Sequence, residues 1–143
     1  MTFEDSKYSK LIPYKKVQFP FGTFYLTKHF TISEFNEGVH VDYAIASDII
    51  SHFSEEIKRG FKIGYIANRI NSYSFDLQLW KEVSDDYDFL VASAVVSYTN
   101  FNHLNASLEK HFSEKSLKRC KSLDEAIKWI LDLKEFKNKC KTN

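Results

Sequence analysis

Apolar residues along this chain follow two periods, and the switches between them mark out most of its elements. Val17, Phe19 and Phe21 alternate with Lys16, Gln18 and Pro20, the two-residue period of a half-buried strand. Pro20 predicts an edge position, because proline donates nothing to a ladder. Phe24 to Leu26 and Phe30 to Phe35 continue the β character, with Lys28-His29 as the turn of a hairpin between them. The period then lengthens. Ile45, Ile49, Ile50, Phe53 and Ile57 recur at spacings of three and four and share one helical face. Asp42 is the expected N-cap, with Val41 and Ala46 as a hydrophobic staple. Lys58 and Arg59 complement the C-terminal dipole, and Gly60 supplies the left-handed stop.

Phe61 to Ala67 reads as a strand, and Asp76 to Ser84 as a short helix carrying Leu77, Leu79, Trp80 and Val83. Phe89 to Ser97 is a nearly unbroken apolar run, the pattern of a central strand buried on both faces. Asn102 to Phe112 predicts a helix with Leu104 and Leu108 inward, and Leu117 to Cys120 a short last strand. Ser122-Leu123-Asp124-Glu125 is a capping box, the most specific local signal in the chain. It opens a helix whose expected inner face is Ala126, Ile127, Ile130 and Leu131. Strands first, then alternation, predict an α/β fold: an N-terminal hairpin leading into a mixed β-sheet covered by about four helices. Residues 1–15 read as an N-terminal arm, mobile from Met1 to Pro13 for want of an apolar period. Residues 16–135 form one domain and 136–143 a charged tail.

A length of 143 residues fits one domain with a proper core, and 43% hydrophobic with 27% charged residues is ordinary for a globular chain. No apolar run approaches the roughly 20 residues of a membrane-spanning helix, and Met1 to Lys10 holds no signal core. The expected compartment is cytoplasmic. Cys120 and Cys140 lack any motif spacing, so both are read as reduced thiols. A net charge of +1 supplies no field toward nucleic acid or an anionic membrane. A protein partner is expected, with a small molecule as second choice. Aromatics at 16% could mark a sticky interface, but with abundant Lys, Asn, Ile and Ser and only 4 Gly and 2 Pro the composition reads first as that of an AT-rich genome.

The densest polar stretch beside a buried strand is Asn68-Arg69-Ile70-Asn71-Ser72-Tyr73-Ser74. It lies past the carboxyl end of that strand, where ligands bind in open α/β sheets. Asn68, Arg69, Asn71, Ser72, Tyr73 and Ser74 are therefore the candidate partner- or ligand-binding residues. Arg69 offers a planar fork for phosphate or carboxylate; the plain structural alternative is an ion pair with Glu37 or Asp76. Tyr65, Trp80, Tyr98 and Phe101 fall after strands and at helix starts, either completing the core or lining an apolar crevice for a lipid-like ligand. His40 and Asp42 form an H-x-D pair, and His103 and His111 flank a helix, but a metal needs three or four convergent ligands. No metal or cofactor is expected. Neither a glycine-rich phosphate loop nor a G-x-S-x-G elbow is present, so no catalytic residue is assigned. Arg59-Gly60-Phe61 echoes the start of an RNA-recognition motif, but Lys62, Ile63 and Gly64 break the pattern.

The order of elements resembles the STAS domain of bacterial anti-sigma-factor antagonists, and more closely its SpoIIAA-like (STAS/Sec14-like) branch. The stretches that carry the resemblance are Glu37-Gly38-Val39-His40, Ile66 to Ser74, and Leu123-Asp124-Glu125-Ala126-Ile127-Lys128-Trp129-Ile130, spanning roughly Val17 to Leu133. It implies a small mixed sheet covered by helices and a regulatory, protein-binding role. In anti-sigma-factor antagonists a serine in the loop after the third strand is phosphorylated, and the matching loop here is Asn68 to Asp76. Ser72 and Ser74 are the candidate phosphorylation sites by position, although the family's Asp-Ser-x-Gly/Ala pattern is absent and Asn71 precedes Ser72. The local alternative is that Ser74 or Asp76 caps the following helix.

Overall fold

The computed structural model describes residues 1–54, 59, 62–76, 78–79, 90–99 and 117–133. Its alternating stretches pair into a hairpin, β1 (Lys15–Phe19) with β2 (Gly22–Leu26), followed antiparallel by β3 (Phe30–Phe35). β1 forms one edge of the sheet, and Pro20 follows it directly in the turn to β2, where no ladder donor is required. β5 (Ile63–Arg69), β7 (Leu90–Ser97) and β8 (Leu117–Cys120) add in parallel, giving a six-stranded mixed sheet ordered β1-β2-β3-β5-β7-β8. A two-residue parallel pair stands apart from it: β4 (His40–Val41) with β6 (Ser74–Phe75). Such short pairings leave no trace in hydrophobic period.

Helix α2 (Tyr43–His52) begins where expected, with the Asp42 carboxylate accepting the Ile45 N–H at 3.1 Å. Its Ile45, Ala46, Ile49 and Phe53 pack on Val17, Phe24, Phe35 and Val41, one face of the hairpin and β3. Helix α3 (Leu123–Leu131) covers the opposite face. Ser122 Oγ accepts the Glu125 N–H at 3.1 Å, the first half of the capping box. The Glu125 carboxylate, however, reaches the Lys121 N–H rather than that of Ser122, at 3.0 Å. Leu123, Ala126, Ile127 and Ile130 are buried, and full burial of a large aliphatic side chain contributes about 1.5–3 kcal/mol. Leu131, expected on that inner face, is exposed instead, because at 3.6 residues per turn it stands about 90° round from the centre of the Leu123–Ala126–Ile127–Ile130 stripe.

Residues 1–13 are not a loose arm. Phe3 is fully buried, its ring edge-on to Tyr14 and tilted against Tyr25, both at 5.1 Å between centroids. The four-residue helix α1 (Tyr8–Leu11) then crosses to α3, where the Tyr8 hydroxyl bonds Asp124. One aromatic and a few polar contacts anchor the segment, so an apolar period was never needed. Three helices lie among the described residues; the helices expected at 76–84 and 102–112 fall largely or wholly outside them, as does the Gly60 stop.

The sheet and α3 meet closely at Gly64. A Cβ there would stand 2.5 Å from Ile130 Cδ1 and 2.9 Å from Cγ2. Gly64→Ala is expected to cost about 1–3 kcal/mol through overpacking, and Ile130→Val alone about 0.5–1.5 kcal/mol. In denaturant titrations the double variant should lose less than the sum of the two; strict additivity would show that this contact does not set the helix–sheet spacing.

Candidate functional site

Three parallel neighbours, β3, β5 and β7, end side by side, and strand alternation sorts their last residues onto two faces. Glu34, Asn68 and Tyr98 fall on the α3 face, while Ser33, Tyr65, Arg69 and Ser97 fall on the α2 face.

On the α3 face the groups form a closed network. Glu34 is 6% exposed, and its Oε2 accepts from Phe3 N–H and from Asn68 Nδ2, each at 2.8 Å. Asn68 Nδ2 also donates to the Met1 carbonyl at 2.9 Å, and Asn68 Oδ1 accepts from the Tyr98 hydroxyl at 2.7 Å. Burial raises the Glu34 carboxyl above its ordinary value, with the Phe3 and Asn68 donors opposing the rise. Burial, helped by the Glu34 charge, pushes the Tyr98 phenol up to about 12. Tyr25, buried and bonded to Glu4, is also raised. Cys120 is buried in the same core and its thiol is pushed up to about 11, chiefly by burial, which makes it a poor nucleophile.

On the α2 face Ser33 and Tyr65 share a hydrogen bond of 2.6 Å. Arg69 is 2% exposed, its guanidinium carbon 4.8 Å from the centre of the Tyr73 ring, a cation–π contact. Beside it in the ladder, Ser97 is buried and its hydroxyl has no hydrogen-bond partner among the described residues.

The loop after β5 is pinned from beneath. Gly38, at φ +79°, takes the left-handed turn that brings its N–H to the Ser72 carbonyl at 2.8 Å. Glu37 Oε2 accepts the Ser72 N–H at 2.9 Å, and Asn71 Nδ2 donates to the Phe35 carbonyl at 3.0 Å. The Ser74 N–H reaches the Val39 carbonyl at 2.9 Å, and Ser74 Oγ pairs with His40 Nδ1 at 2.7 Å. Asp76 Oδ1 accepts the Gln78 N–H at 3.1 Å, so of the two capping candidates it is Asp76 that caps the chain onward.

The six candidates from sequence therefore divide. Asn68, Arg69 and Tyr73 are buried, Asn71 is half-buried, and Ser72 and Ser74 are exposed. Glu37 holds the Ser72 main chain and Asp76 caps the loop's exit. Tyr65 and Tyr98 lie on opposite faces of the sheet, so they do not line one crevice; Trp80 and Phe101 lie outside the described residues. Glu34 escaped the sequence reading, yet it carried a signal: an acid at the same strand parity as Phe30 and Ile32. Among the described residues no helix is long and apolar enough to cross a membrane.

Neither a protein-family model nor a curated protein matches this chain. Among solved structures, the chain is similar to an uncharacterized protein from the DUF3478 family with a SpoIIAA-like fold, from Shewanella loihica. That similarity covers 83% of this chain and 93% of the other, at 9% identity and a TM-score of 0.48.

Glu34 gives the site a measurable pH signature. With its value raised in the folded state, the folded protein takes up this proton at higher pH than the unfolded chain, whose carboxyl titrates near 4.5. Glu34 therefore adds stability as pH falls through its raised value, and the gain levels off below 4.5. Urea unfolding of wild type and Glu34→Gln between pH 7 and pH 4 should show this component in wild type alone. Parallel curves would mean that the carboxyl is not perturbed by burial.

Proposed function

We propose that this chain is a non-enzymatic regulatory module that captures a protein partner through the outer surface of the Ile70–Asp76 loop. The observation that carries this reading is the loop itself: Ser72, Ser74 and Asp76 face solvent while the main chain beneath them is held by Gly38, Glu37, Asn71 and Val39. A loop already ordered loses little entropy on binding, so its exposed groups spend their interactions on the partner. The buried Asn68 and Arg69 act one layer below, shaping the loop's base rather than touching the partner.

Phosphate on either serine would tune such a surface. On Ser72 it would stand beside the Glu37 carboxylate that accepts the Ser72 N–H, and like-charge repulsion would loosen the loop. On Ser74 it would meet His40.

Capture from extracts of the native host, followed by mass spectrometry, tests the reading. Proteins retained by wild type should be lost with the double variant Ser72→Arg/Asp76→Arg, which should stay folded, its stability lowered only by loss of the Asp76 cap, about 0.5–2 kcal/mol, because both side chains are otherwise exposed. A folded double variant that retains the same proteins would rule this surface out. Intact mass of the host-purified chain reads any phosphate in the same preparation.

A further inference from the structure

Met1 to Phe3 lie against the carboxyl ends of β3, β5 and β7, the position at which open α/β sheets ordinarily take ligands. Among the described residues, the hydrogen bonds between this strap and the three strand ends are made by its main chain. The Met1 carbonyl accepts from Asn68 Nδ2 at 2.9 Å, with the Tyr98 hydroxyl 3.3 Å away, and the Phe3 N–H donates to Glu34 Oε2 at 2.8 Å. The Phe3 ring is the one side chain fully enclosed, against Tyr14 and Tyr25.

A segment that served only to close the core would be held as well by apolar residues, since a buried carboxylate is costly even when satisfied. A seat made of a carboxylate, an amide and a phenol instead reads a pattern: a carbonyl, then, two residues on, an N–H and an aromatic ring. Part of what ties the strap down is peripheral: exposed Glu4 bonds Lys16 at 2.6 Å and the Tyr25 hydroxyl at 2.7 Å. Solvent-exposed ion pairs of this kind hold weakly.

We propose that the Glu34–Asn68–Tyr98 seat is a peptide-binding site, filled here by the chain's own Met1–Phe3, which takes in trans an extended segment of the same chemistry once that strap is displaced. The tether keeps the strap at high effective concentration, so the intact chain masks its own site. The site lies on the opposite face of the sheet from the partner surface proposed above and does not depend on that reading.

The test uses the full chain and a fluorescein-labelled peptide, acetyl-Met-Thr-Phe-Glu-Asp-Ser. In fluorescence polarisation, Phe3→Ala should bind this peptide at least about tenfold more tightly than wild type, because its own strap has lost the enclosed ring. Asn68→Ala added to Phe3→Ala should abolish that gain, as should replacing the peptide's Phe by Ala. A Phe3→Ala chain with wild-type circular dichroism and no gain in binding overturns the proposal. Should Phe3→Ala fail to fold, hydrogen exchange of wild type decides. A Phe3 amide exchanging far faster than those of Ile66 and Val95 shows the strap opening by itself and supports the site. Exchange of all three at one rate shows a segment that leaves only when the domain unfolds, and overturns it.

Discussion

A carboxylate under a protein segment must find donors or it will not stay ionised there. Glu34 finds them in the Phe3 main chain and the Asn68 amide, and much of the surrounding structure follows from that need. Asn68 can serve Glu34 only because β3 and β5 run parallel in a register that pairs Ser33 with Ala67, setting Glu34 and Asn68 on the same face one step further on. Tyr98, just past β7, then fixes the other end of the amide. Phe3 can offer its N–H only if its ring is also accommodated, which Tyr14 and Tyr25 provide. The polar hub thus ties the first residues of the chain to three strands that are distant in sequence.

The two faces of the sheet end in different chemistry. On the α3 face Glu34 and Asn68 turn inward and are satisfied together with the half-exposed Tyr98 hydroxyl, with pKa values of Glu34 and Tyr98 moved upward by burial. Beyond β5, the chain turns outward, and its loop is held by Gly38, Glu37 and the β4–β6 pair so that two serines and an aspartate stand in solvent.

Much of the fold was legible because it rests on local regularities. The Asp42 and Ser122 caps, the β1 edge marked by Pro20, the β7 run and most of the inward faces of α2 and α3 follow from period, capping chemistry and proline's missing donor. The Asn68–Asp76 loop was also legible as the place where polar residues gather beside a strand end. Its division into buried Asn68, Arg69 and Tyr73 and exposed Ser72 and Ser74 was not, because burial beyond a strand depends on what the neighbouring strands bring alongside.

Sequence by itself therefore determined the mixed α/β class, most element boundaries and the candidate loop, since each depends on residues within a few positions of one another. Tertiary structure alone decided that Glu34 meets Asn68, that Tyr65 and Tyr98 part to opposite faces, and that residues 1–13 pack rather than drift. Such outcomes join positions far apart in sequence, 34 residues for Asn68 and Glu34 and 97 for Tyr98 and Met1. Strand order and register bring such pairs within hydrogen-bond reach, and no periodicity in the chain encodes which strand lies beside which.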